Sequence, residues 1–281
     1  MHDISWMVTK SLLESLPKEE KTASLQHLHP DDQWKYKETL TNFNFYAPAK
    51  PLEELIYSMH HSWLLPVIKE LQTEDQKLFL AALTGQQAQQ LKTDLNLDFP
   101  TLPLEAFLEE FILQEVFERL VKGHNFIPKE YLPPHPLNIL LHLNREQFLK
   151  LFDFLGIHDL ALDLKKMIQA NIIKNVSQAL SSEEQDYLKE IKGRKEEVGF
   201  GSLHLAKWDG TPESLRKILH KRGINRVAKA LFGAHASLLW HISHRIDRNR
   251  AAALHKLCTD IKNNEAKERL IHDILELIPK K

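Results

Sequence analysis

Apolar residues recur at three- and four-residue intervals along almost the whole chain, the spacing that lays a stripe on one side of an α-helix. The clearest run is Leu104, Phe107, Leu108, Phe111, Ile112, Val116 and Leu120, with Glu105, Glu109, Glu110, Gln114 and Glu118 expected on the opposite face. Pro103 is expected in the first turn of this helix, where a missing N–H costs nothing, and Gly123 at its stop. Other starts are Thr73-Glu74-Asp75-Gln76, Ser181-Ser182-Glu183-Glu184 and Asp209-Gly210-Thr211-Pro212-Glu213, each a small polar cap ahead of an apolar-periodic run. No segment alternates as a half-buried strand does, and Asp209-Gly210 leads into a helix rather than a hairpin. The pattern predicts an all-α protein of short stacked helices.

Proline, glycine and polar residues concentrate at Asn44 to Pro51, Gly123 to Pro136 and Lys192 to Ser202, where helices should break. The last two divide the chain into three expected domains: an N-terminal helical block over 1–122, a middle block over 134–192 and a C-terminal block over 200–281.

The chain has 281 residues, 43% of them hydrophobic, which is enough for a core and too apolar for disorder. Its net charge of -1 hides a separation. Residues 1–192 hold 19 Lys+Arg and 28 Asp+Glu, a net of -9, whereas residues 193–281 hold 18 and 10, a net of +8. Such a chain suits partners of opposite sign at its two ends. The lone Cys258 cannot form an internal disulfide, and Met1 to Trp6 lacks the basic and apolar regions of a leader, which favours a reducing, cytosolic compartment. Apolar runs such as Ile139 to Leu141 are far too short to span a bilayer.

Sixteen histidines raise a metal hypothesis that the spacings do not sustain. No His-Glu-x-x-His and no Glu-x-x-His occurs; His241 and His244 share a helix face but lie among Lys and Arg, and a solvated or core-edge position is expected for them. His2-Asp3, His158-Asp159 and His272-Asp273 repeat a dipeptide of helical metal-dependent phosphohydrolases, without the rest of that ligand set, and read as helix-surface pairs. Gly-x-Ser-x-Gly and Gly-x-x-x-x-Gly-Lys are absent, and Gly199-Phe200-Gly201 lacks the third glycine of a dinucleotide fingerprint. Cys258, at helical spacing with Leu254, Leu257 and Ile261, reads as core. No enzyme, metal site or cofactor is expected. The basic C-terminal block, with Arg216, Lys217, Lys221, Arg222, Arg226 and Lys229 ahead of Arg245, Arg248 and Arg250, leaves a nucleic-acid-binding helical protein as the alternative class. No aromatic run interleaves these cations for base stacking, so an acidic protein surface is favoured over nucleic acid.

Pro134-His135-Pro136-Leu137-Asn138-Ile139-Leu140-Leu141-His142-Leu143-Asn144-Arg145-Glu146-Gln147 resembles the middle-domain signature of the flagellar motor switch protein FliG. That signature is a His-Pro leading into a short apolar helix, a polar break and a Gln-containing second helix. The following Phe148, Leu151, Phe152, Leu155, Leu162, Leu164 and Ile168 are similar to the family's armadillo-like helices. A second segment, Leu215 to Leu219 and Val227 to Ala234, then Leu238, Ile242, Arg245 and Ala251-Ala252 to Leu254, resembles the FliG C-terminal helical domain.

Three differences mark the resemblance. His135-Pro136-Leu137 stands where the family has His-Pro-Gln, the Met-Phe hinge between its domains is missing, and the charges around Arg245, Asp247, Arg248 and Arg250 are mostly basic. They fit a FliG-like or SctK-like docking component of a type III secretion basal body better than a torque generator. The resemblance implies a non-enzymatic adaptor on the cytoplasmic face of the inner membrane, peripheral to it, with an inner-membrane ring protein and cytoplasmic ring or sorting-platform proteins as partners. His135, Pro136, Arg245, Arg248 and Arg250 are the expected partner-binding residues, the three arginines on one face.

Overall fold

The computed structural model describes residues 6, 10, 13, 17–38, 52–98, 100, 103–124, 126–194 and 198–278. The expected joint at Asn44 to Pro51 and the dipeptide His2-Asp3 lie outside them. Every regular element among the described residues is helical. The order is α1 (Lys18–Gln26), α2 (Pro30–Glu38), α3 (Leu52–Ser58), a 3-10 turn (His61–Trp63), α4 (Leu65–Lys69), α5 (Thr73–Ala81), α6 (Gly85–Leu95) and α7 (Ala106–Val121). Two 3-10 segments (Lys129–Tyr131 and Pro136–His142) lead to α8 (Arg145–Lys166), α9 (Ala170–Ala179) and α10 (Ser182–Lys192). After a 3-10 turn (Leu205–Lys207) come α11 (Pro212–Leu231), α12 (Ala236–Arg245), α13 (Arg248–Leu257) and α14 (Asn264–Leu277).

α3 to α7 enclose one core, in which Ile56, Leu64, Ile68, Leu80, Leu91 and Leu113 have no exposure. Buried Gln87 ties the turn after α3 into it by donating from Nε2 to Ile56 O and Met59 O, 2.9 Å each. α7 departs from its expected form in two ways. It starts at Ala106, with Glu105 as N-cap, so Pro103 lies ahead of the helix. Its core face is Leu113 and Val116, while Phe107 and Phe111 are 80% and 55% exposed and Glu109 turns inward to accept from Tyr57 Oη at 2.6 Å. The apolar run covered more than half of the helix circumference, so periodicity alone could not say which side packs. Gly123 stops the helix as expected, at φ +82°.

The other starts follow the capping rules except one. Ser181 and Glu184 form a capping box, with Ser181 N–H donating to Glu184 Oε2 at 2.7 Å and Glu184 N–H to Ser181 Oγ at 3.3 Å. Thr211 caps α11 with Pro212 in the first turn. Thr73 is instead the first residue of α5, and Gln76 reaches back from Nε2 to Ile68 O and Leu71 O, 3.1 Å each, fastening α5 to α4.

Beyond residue 131 the expected boundary near 193 does not separate two cores. One cluster joins Leu137, Leu140, Phe148 and Phe152 to Val227, Leu238, Leu254 and Ile274; a second joins Ile157, Leu160, Val176 and Ile191 to Leu215 and Leu219. α8 and α11 form the axis of both, crossing at Gly156 and Gly223. The middle and C-terminal blocks are therefore one packed body.

Candidate functional site

The N-terminal block is held to this body by a seam of rings and hydrogen bonds. Trp63 Nε1–H donates to Ile246 O (2.9 Å), the His60 amide to His244 O (2.8 Å) and the Arg248 amide to Ser62 Oγ (3.2 Å). His244 stacks between Trp63 and Trp240, with ring centroids 4.0 and 3.8 Å away, and the Arg248 guanidinium lies over Trp63 at 5.8 Å. His244 Nδ1 donates to Trp240 O (2.7 Å) and His241 Nε2 to Ile127 O (2.9 Å). Burial pushes the pKa of His60, His241 and His244 down to about 4, so all three rings are neutral at pH 7. The expected solvated or core-edge position of His241 and His244 is thereby corrected: α12 turns that face inward, His241 beside Phe126 and His244 onto Trp63.

Beside the seam lies a polar cleft of about 790 Å3, whose walls include His60, His61, Gln87, Lys129, Arg145 and Arg245. Its charges are partly matched inside the chain, Lys129 by Glu54 at 2.9 Å; His61, whose pKa burial lowers, lies 3.5 Å from Asp94. A second, shallower groove of about 820 Å3 runs between α8, α11 and α13.

The three arginines expected on one face engage three different neighbours. The helix breaks at Ile246, and Asp247 caps α13 by accepting the Asn249 and Arg250 amides at 3.2 and 3.1 Å. Arg245 therefore lines the cleft and donates from Nη1 to Leu143 O at 2.6 Å, while burial lowers its pKa. Arg248 covers Trp63. Arg250 lies in the second groove, pairs with Asp247 and donates from Nε to His220 Nε2 at 2.7 Å. His220 in turn donates from Nδ1 to Asp153 Oδ1 at 2.7 Å. With its Nε2 occupied by an arginine, His220 is fastened rather than poised as a base. At the other expected site, half-buried His135 caps the Pro136–His142 segment, its Nδ1 accepting the Leu137 amide at 3.2 Å, and Pro136 is exposed.

Of the His-Asp dipeptides read from sequence as surface pairs, His158-Asp159 and Asp273 meet in the interior instead, while His272 is exposed as expected. Arg226, with no exposure, donates from Nη2 to Asp159 Oδ1 (3.2 Å) and Val198 O (2.6 Å), and from Nη1 to Asp273 Oδ2 (3.4 Å). His158 Nδ1 lies 3.8 Å from Asp273 Oδ2, its Nε2 is 2.8 Å from Tyr187 Oη, and Arg269 Nε lies 3.1 Å from Asp273 Oδ1. Burial raises the pKa of Asp159, against the pull of Arg226. The place between the two carboxylates is filled by a guanidinium, so the group ties α8, α11 and α14 together. His272, Asp273 and Glu276 bring ligand atoms within 4.8 Å of one another, yet Asp273 and Glu276 already pair with Arg269 and Arg194. Cys258 packs against the core, and burial raises its pKa.

Arg226 was passed over in the sequence as one cation among many. Its signal was phase: Leu215, Leu219 and Arg226 fall on one α11 stripe, so an arginine occupies a core position. Comparison of the chain with family models, with curated proteins and with solved structures gives no match.

Proposed function

We propose that the protein is a non-enzymatic helical adaptor of a type III secretion or flagellar basal body. On this reading it links the inner-membrane ring to a cytoplasmic ring or sorting platform from a peripheral position on the cytoplasmic face of the inner membrane. The observation that carries the reading is the joining of the two FliG-resembling segments, roughly 134–168 and 215–254, into one body through the α8–α11 crossing. Stacked helices hold well-separated surfaces at fixed spacing, as a connector requires. The opposed charges of the two ends, -9 and +8, support partners of opposite sign. No described helix is long and apolar enough to cross a membrane, in keeping with a peripheral position.

Of the docking residues, exposed Pro136 and Arg248 are the ones available to a partner. His135, Arg245 and Arg250 act as positioning residues, holding the 3-10 segment, Leu143 and His220. The nucleic-acid alternative is less favoured, because Arg222, Arg226, Arg245 and Arg250 are committed to acceptors within the chain. A photo-crosslinking residue at Pro136 or Arg248 in the native cell tests the reading. Adducts with inner-membrane-ring or cytoplasmic-ring proteins are expected; adducts with nucleic acid alone, or with neither class, would overturn it.

A further inference from the structure

Two surfaces of this chain are complementary, an acidic ridge in the N-terminal block and a groove whose rimming cations lie on α11. The first is the outer side of α7. Phe107 and Phe111 stand one turn apart, 80% and 55% exposed, opposite the face that packs Leu113 and Val116 into the core. Exposed Glu110 and Glu115 flank them, and Glu118 continues the ridge a turn further on, accepting from Gln114 at 2.9 Å. Two large rings on the solvent side of a helix whose inner side is already buried have no role in the monomer's core.

The second surface is the groove between α8, α11 and α13. Leu149, Phe154, Ile224 and Ala253 give it apolar walls. Exposed Arg216, Lys217 and Lys221 rim it, and none of the three forms an ion pair among the described residues; Glu213 is the single carboxylate of α11 beside them. Of the remaining groove charges, Lys150 pairs with Glu183 at 2.7 Å and Arg250 with Asp247, while Asp153 accepts from the neutral His220 ring and Glu184 is held in the capping box with Ser181. An apolar channel with unmatched cations is what an aromatic ridge with flanking carboxylates requires.

We infer that α7 of one copy seats in the α8–α11–α13 groove of a second copy, Phe107 and Phe111 against the apolar walls and Glu110 and Glu115 against Lys217 and Lys221. The two patches are different surfaces of one chain, so the contact is heterologous and each pair keeps one ridge and one groove open, giving a row or a ring. The charge separation between the N-terminal block and residues 193–281 has the sense such a head-to-tail contact needs. This inference concerns the chain alone and stands or falls independently of the adaptor reading.

Light scattering on the purified full chain at low salt tests it. The mass should rise above 32.7 kDa with concentration and return toward it as salt is added. Phe107→Ser with Phe111→Ser, and separately Lys217→Glu with Lys221→Glu, should each stay monomeric while keeping the helical circular dichroism of the parent. Mixed together, those two variants should form dimers and nothing larger, because one intact ridge and one intact groove remain. A wild-type chain that stays at 32.7 kDa throughout, a ridge variant that still associates, or a mixture that stays monomeric would overturn the inference.

Discussion

Gly156 of α8 and Gly223 of α11 bring the two helices to backbone contact. A Cβ on Gly156 would sit 2.7 Å from Leu219 Cα and closer still to the Leu219 carbonyl; one on Gly223 would sit 2.6 Å from Phe152 Cα and closer to the Phe152 carbonyl. Both obstacles are main chain, which cannot rotate aside. An exposed helical glycine replaced by alanine gains about 1 kcal/mol. Here Gly156→Ala or Gly223→Ala must push the axis of the body apart, and a loss of at least about 2 kcal/mol in urea unfolding is expected for each.

Arg226 is expected to be the most sensitive polar residue. Arg226→Met leaves Asp159 and Asp273 buried without their shared cation, at a cost of about 3–5 kcal/mol. Adding Asp159→Leu and Asp273→Leu removes the stranded charges and should recover most of that loss in the same unfolding measurement. If the triple variant is no better than the single, the arginine's main contribution is its bond to Val198 O.

Acid should loosen the seam. His60, His241 and His244 titrate near 4 in the folded chain, against 6.5 for a free histidine, so the unfolded chain binds more protons between these values. The stability they confer is complete above about pH 7 and is lost as pH falls toward 4, on the order of 2 kcal/mol per ring by pH 5. Unfolding free energies at pH 7, 6 and 5 would show this fall, and His244→Phe should remove about a third of it.

Trp63 carries a side-chain hydrogen bond across the seam, to Ile246 O, besides its stacking on His244. Trp63→Ala should therefore speed amide exchange in α3 and in α12 together, while the Arg226 group keeps its protection. Faster exchange confined to α3 would mean that α12 is held from elsewhere.

The helical class was legible because spacing and caps agreed: Ser181 with Glu184, Thr211 with Pro212, and Gly123 after α7 all stand where the rules place them. Facing was less so, since α7 carries apolar residues on both sides and the choice between Phe107 and Val116 as core depends on α3 to α6. The candidate surfaces were legible only as residue types. Arg245, Arg248 and Arg250 share a short stretch of sequence, but the turn at Ile246 and Asp247 sends them to Leu143, Trp63 and His220. Asp273 and Asp159 meet Arg226 through contacts 47 and 67 residues apart, beyond the reach of local pattern.

The most direct test of the proposed adaptor role is affinity isolation of the full chain from native cells, with quantitative identification of what accompanies it from both membrane and cytoplasm. Enrichment of an inner-membrane-ring protein together with a cytoplasmic-ring or sorting-platform protein, both reduced for an Arg248→Glu variant that folds normally, is the result expected. Recovery of neither from wild-type cells that assemble the apparatus would contradict it.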